Sequence, residues 1–95
     1  MANSVQGYVI ANKMVMAGKL PVLRVYREKP DEVGDTGWRI FSGTEDESYA
    51  NEAANFGIYD ILEVVKMDGA LKEIFEAPAG VEYIKDTVTS AWEKI

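Results

Sequence analysis

The chain contains no cysteine and no histidine. The first absence removes disulfides, thiolate nucleophiles and thiolate metal sites together. The second removes an imidazole base, a Ser-His-Asp arrangement and His-ligated zinc. No run approaches the roughly 18 apolar residues needed to cross a bilayer. The N-terminal stretch MANSVQGYVIANK has no basic region ahead of its short apolar part, so no signal peptide is expected. A cytoplasmic protein is the expectation. There is no phosphate loop and no dinucleotide fingerprint. The run Asp31-Glu32-Val33-Gly34-Asp35 lacks the alternating ligands of a calcium loop. Neither an enzyme nor a metal or cofactor site is expected.

Positive charge is also scarce, and unevenly so. The 95 residues carry 10 Lys and Arg against 16 Asp and Glu, a formal net charge of −6. Residues 40–65 hold no Lys or Arg but six acids: Glu45, Asp46, Glu47, Glu52, Asp60 and Glu63. Such a field repels nucleic acid and anionic lipid and favours a basic protein surface.

With 47% hydrophobic residues, the chain can bury one core as a single domain, 1–95. Tyr8–Asn12, Pro21–Arg27, Trp38–Ser42 and Val81–Lys85 are rich in strand formers and read as strands. Within the second, Arg24 and Tyr26 share a face opposite Val25 and Arg27. Glu28–Gly37 reads as a long loop, with Lys29-Pro30-Asp31 setting up one turn and Asp35-Thr36-Gly37 another before Trp38. Thr44 and Glu47 have the capping-box form, predicting a helix to about Asn55 that stops at Gly57, with Ile58-Tyr59 as a short connector. Asp60 and Glu63 repeat the box. Asp68 can cap a further helix with an apolar stripe of Leu71, Ile74 and Phe75. The tail from Thr87 is open between strand and helix, with Trp92 expected to pin it. The order β-β-β-α-α-α-β argues for an α+β fold: a small antiparallel sheet of about four strands with two or three helices packed on one face.

Glu45, Asp46 and Glu47 could form a docking surface for a basic partner, or only helix-start chemistry, since acids there are stabilised by the macrodipole. Arg27 and Arg39 could shape a recognition cleft or form ordinary strand-end ion pairs. Trp38 could be an interface anchor or part of the core.

The stretch Tyr26–Tyr49 carries a resemblance. Tyr26-Arg27-Glu28, Pro30-Asp31, Asp35, Gly37-Trp38-Arg39, Phe41-Ser42-Gly43 and Glu45-Asp46-Glu47 with Tyr49 resemble a family of small bacterial proteins. That family was long catalogued as a domain of unknown function and is grouped with the immunity proteins of polymorphic toxin loci. The likeness continues through Asn55 and Ile58-Tyr59-Asp60, and more weakly at Asp68, Pro78 and Gly80. The tail after Asp86 departs from the aspartate- and glycine-rich hairpin that closes other members. The resemblance implies an α+β domain that binds and neutralises a cognate toxin. With it, Glu45, Asp46, Glu47 and Tyr49 become the expected partner contacts, supported by Trp38 and Arg39. The alternative is a small-ligand-binding or self-associating housekeeping or regulatory domain.

Overall fold

In the computed structural model, residues 6–95 are described. The expectation of no signal peptide rests partly on residues 1–5, which lie outside them. The elements run β1 (Tyr8–Asn12), α1 (Lys13–Met16), β2 (Arg24–Arg27), β3 (Asp35–Phe41), α2 (Glu47–Ala50), a 3-10 turn (Ala53–Asn55), β4 (Phe56–Asp60), α3 (Ile61–Met67), α4 (Leu71–Ile74), β5 (Glu82–Ile84) and β6 (Glu93–Lys94).

The strands form one six-stranded sheet in the order β4-β1-β3-β2-β5-β6. It is mixed, not antiparallel as expected: β1 lies parallel to β3, and every other pairing is antiparallel. The α+β class holds, but two strands join the expected four and the element order changes. β4 occupies the place of the predicted connector. With β3 on one flank, β1 has a row of backbone groups free on the other, and Phe56–Asp60 fills it, from Tyr8↔Asp60 to Asn12↔Phe56. Gly57 is therefore a strand residue and not a helix stop. A Cβ at that position would lie 3.1 Å from the Tyr59 ring, so its smallness serves packing. In the tail, β6 pairs with β5 through Tyr83↔Lys94 and Ile84↔Glu93.

Alternation along the strands gives the sheet two unlike faces. One presents Val9, Ala11, Val25, Trp38 and Ile40 to Val15 of α1, Ile61 and Val64 of α3, and Leu71 and Phe75 around α4. Trp38 is 0% exposed; its ring centroid lies 4.9 Å from that of Phe75, and its Nε1 donates to the Phe75 carbonyl at 2.9 Å. A buried indole with its one donor satisfied is a core residue, and its burial is worth about 3 kcal/mol. α3 begins with the expected box: Asp60 accepts from the Leu62 amide at 2.8 Å, and Glu63 from the Asp60 amide at 3.3 Å.

The second face carries Ile10, Arg39, Tyr26, Phe41, Phe56 and Ile58, as the registers Ile10↔Arg39, Tyr26↔Arg39 and Ile10↔Ile58 require. α2 buries no residue in the main core and lies on this side, with Tyr49 edge-on to Phe56 at 6.1 Å. The helices therefore do not all pack on one face. Trp92 pins the tail as expected: its Nε1 donates to Asp68 Oδ2 at 3.0 Å, and Lys85 Nζ donates to the same oxygen at 2.6 Å. Asp68 also accepts from the Ala70 amide at 3.1 Å, although α4 itself starts without a side-chain cap. No helix of the described residues is long and apolar enough to cross a membrane.

Candidate functional site

The Asp35-Thr36-Gly37 turn signal opens β3 instead of ending a loop. Between Tyr8↔Asp35 and Ile10↔Arg39, two steps of β1 face four of β3, so β3 bulges. Gly37 makes the bulge possible: its φ is +88°, and a Cβ there would stand 2.1 Å from the Glu28 carbonyl oxygen. The bulge turns Asp35 inward to meet Arg39. The guanidinium forks onto Asp35, Nη1 to Oδ1 and Nη2 to Oδ2, both at 2.9 Å, while Nε donates to Glu28 Oε2 at 2.6 Å. Asp31 approaches Nη2 at 3.9 Å from solvent. Arg39 is only 3% exposed. The Arg39 hydrogen bonds, against the opposing effect of burial, hold the Asp35 carboxyl well below the usual carboxylate range; the Gly37 and Asp31 amides add to this. In turn, the hydrogen bonds to Asp35 and Glu28, against the opposing effect of burial, hold the Arg39 guanidinium above its ordinary value. Arg27, by contrast, forms no ion pair among the described residues. It donates to the carbonyls of Thr36 and Ala77 and lies 5.7 Å from the Trp38 ring.

The acidic turn follows β3. The expected capping box of Thr44 and Glu47 is not formed, because the Thr44 hydroxyl meets Ser42 Oγ at 2.7 Å. Asp46 caps α2 instead, accepting from the Tyr49 amide at 2.8 Å. α2 ends after one turn, well short of Asn55, and Glu52 starts the 3-10 turn by accepting from Ala54 at 3.3 Å. Glu45 points back to the sheet. Its carboxylate accepts from the Asn12 side chain at 2.7 Å, the Ser42 amide at 2.7 Å and the Gly43 amide at 2.9 Å. Burial pushes this carboxyl up, but the hydrogen bonds from Asn12 and Ser42 outweigh it and leave it below its ordinary value. Tyr49 is tied to the same asparagine, its hydroxyl donating to Asn12 Oδ1 at 2.9 Å. Asp46, Glu47 and Glu52 are exposed.

Of the six residues singled out from the sequence, Glu45 and Tyr49 thus meet at Asn12, while Asp46 and Glu47 face solvent beside them. Trp38 lies in the core and offers a partner no side-chain area, and Arg39 lies just beneath the surface and offers almost none. The second face of the sheet also holds a groove of about 380 Å³ lined by Tyr26, Glu28, Arg39, Phe41, Phe56 and Ile58 among others, with Ala50 and Ala53 of the acidic segment as one wall. Tyr26 and Phe41 stack at 5.6 Å, and Phe56 tilts against Phe41 at 5.2 Å. Alternation in β2 and β3 already places Tyr26 and Phe41 on one face. Phe56 and Ile58 were hidden because β4 had the local chemistry of a helix stop.

Comparisons with curated proteins and with solved structures returned no match. A family model, described as the Immunity protein Imm33 domain, matches residues 9–95 and so extends over the tail as well as the Tyr26–Tyr49 stretch. Membership implies a cognate toxin as the partner. From the strand that begins at Tyr8 to the pinned C-terminal hairpin, the chain belongs to the Imm33 family of immunity protein domains.

Proposed function

We propose that the protein neutralises its cognate toxin by laying the acidic 40–65 segment on a basic surface of that toxin, occluding the cleft where the toxin holds its substrate. The observation that carries this is the charge distribution: six carboxylates and no cation in one segment, with Asp46, Glu47, Glu52, Asp60 and Glu63 exposed. Opposed fields of this kind speed encounter and fix register. The roles within the turn divide. Asp46, Glu47 and Glu52 carry the field, and Glu45 and Tyr49 fasten the turn to Asn12. Trp38 and Arg39 hold the strand beneath.

The test begins with capture of a basic partner on the tagged protein and relief of that partner's toxicity by co-expression. Glu47→Lys with Glu52→Lys then reverses charge without touching Glu45 or the Asp46 cap. The association rate should fall about ten-fold at low ionic strength and converge with the wild type in high salt, as expected of screened charges. Thermal unfolding should show only a small loss, about 1 kcal/mol or less, from the missing Glu52 cap on the 3-10 turn. Equal association rates for a folded variant would overturn acidic-segment docking. The groove on the second face favours a small-ligand reading, but Arg39 is already engaged by Asp35 and Glu28, which leaves few polar groups to orient a small molecule.

A further inference from the structure

We propose that the groove on the second sheet face is the anchor pocket of the toxin interface, and that it takes an arginine or lysine side chain of the partner. This rests on the toxin-binding reading and names the chemistry the partner must supply.

The pocket combines an aromatic floor, apolar sides and a carboxylate at one end. Tyr26, Phe41 and Phe56 form the floor, and Ile10 and Ile58 lie along it, Ile58 being 67% exposed on the edge strand. The Glu28 side chain is 50% exposed; its Oε2 holds Arg39, while Oε1 accepts no hydrogen bond among the described residues. Three carboxylates, Glu28, Asp31 and Asp35, surround the single Arg39 guanidinium, so this end of the groove has surplus negative charge. A long cationic side chain suits such a site: its stem lies along apolar walls, and its head reaches both a π face and a carboxylate. The chain uses the same row of rings in this way itself. The Arg24 guanidinium, paired with Glu82, sits 5.1 Å from the Tyr26 ring and 5.3 Å from the Phe41 ring.

Other occupants fit less well. An anion would meet the Glu28 carboxylate. A second copy would bring its own acidic segment against this one, because Ala50 and Ala53 of that segment form the groove wall. A basic partner drawn in by Asp46, Glu47 and Glu52 arrives with the cation already aimed at the neighbouring pocket.

Two experiments separate this proposal from the toxin reading. The first needs no partner: the folded protein is titrated with N-acetyl-arginine amide and, separately, with its neutral isostere N-acetyl-citrulline amide, followed by amide and side-chain NMR shifts. The arginine probe should perturb Tyr26, Phe41, Phe56 and Ile58 and bind several-fold more tightly than citrulline. Glu28→Gln, which keeps an acceptor for Arg39, should weaken it about three- to five-fold, the scale of an exposed charge pair. Shifts confined to residues 46–52, no shifts, or equal response to both probes would overturn the pocket.

The second uses the captured toxin and Ile58→Lys, an exposed position whose substitution puts a cation at the groove mouth. Affinity should drop at least ten-fold, and because the lysine also replaces the apolar Ile58 wall, part of the loss should persist in high salt, unlike the screened loss from Glu47→Lys with Glu52→Lys. Wild-type affinity in the Ile58→Lys protein would overturn the anchor while the toxin reading stands. A seated arginine probe with no toxin captured would sink the toxin reading and leave the cation pocket in place.

Discussion

Replacing Arg39 with methionine leaves Asp35 with only backbone amides for company. The Asp35 side chain is 1% exposed, and both its oxygens lie 2.9 Å from guanidinium nitrogens. After the substitution, the Gly37 amide at 2.8 Å and the Asp31 amide at 3.1 Å are its remaining donors. Breaking a buried pair from one side costs about 3–5 kcal/mol, because the surviving charge stays buried without its counterion. Against a total of about 5–15 kcal/mol for a domain, that is a large fraction. At about 4–8 °C per kcal/mol for this size, the midpoint should fall by tens of degrees. Urea unfolding at neutral pH, followed by the emission of buried Trp38, measures it. The paired variants Asp35→Asn and Asp35→Asn with Arg39→Met complete the cycle, and the double variant should recover much of the loss, since no charge is then stranded. The gap between wild type and Arg39→Met should also narrow as pH falls through the depressed Asp35 value, where protonation dissolves the pair in the wild type. A loss below about 1 kcal/mol for Arg39→Met, the scale of an exposed bridge, would refute the reasoning.

Gly37→Ala should cost about 3 kcal/mol, from the left-handed backbone and the clash with the Glu28 carbonyl, and should break the Glu28–Gly37 backbone bond of 2.9 Å. A urea midpoint within about 1 kcal/mol of wild type would show that the bulge does not need glycine. Stability should be nearly flat from about pH 5 to 8, because no histidine is present to titrate there. Asp35, Glu45 and Asp68 all have folded carboxyls held below their ordinary values of 3.8, 4.5 and 3.8. Their contribution is complete above those values and disappears as pH falls through the folded ones, so the urea midpoint should decline below about pH 4.5. A midpoint that rises on acidification would contradict this.

Local patterns were legible wherever one strand face or one helix cap decides the structure. Tyr8–Asn12 reads as β1, Asp60 and Glu63 cap α3, and Leu71 and Phe75 reach the core. The misreadings come from residues whose local chemistry permits two outcomes and whose choice is made by a distant segment. Gly57 is a good helix stop in isolation, but the free flank of β1 makes it a strand residue. Thr44 is a good cap until Ser42 takes its hydroxyl, and Asp46 then does the capping. Asp35-Thr36-Gly37 is a turn signal that the parallel β1–β3 register converts into a bulge. At the candidate site, the charge of the acidic segment was visible in the sequence. The pocket beside it was not, since its floor joins β2, β3 and β4.

The parallel pairing of β1 also sets a timetable. β2–β3 and β5–β6 join strands that follow one another along the chain, so each hairpin can close soon after it is made. β1 cannot: its partners are Asp35–Ile40 on one side and Phe56–Asp60 on the other. At a synthesis rate of about 5–20 residues per second, the apolar stretch Tyr8–Asn12 waits on the order of 2–10 seconds for its second neighbour. β1 is made ahead of both strands that flank it, and for that interval its Val-Ile-Ala centre has to be kept from other chains.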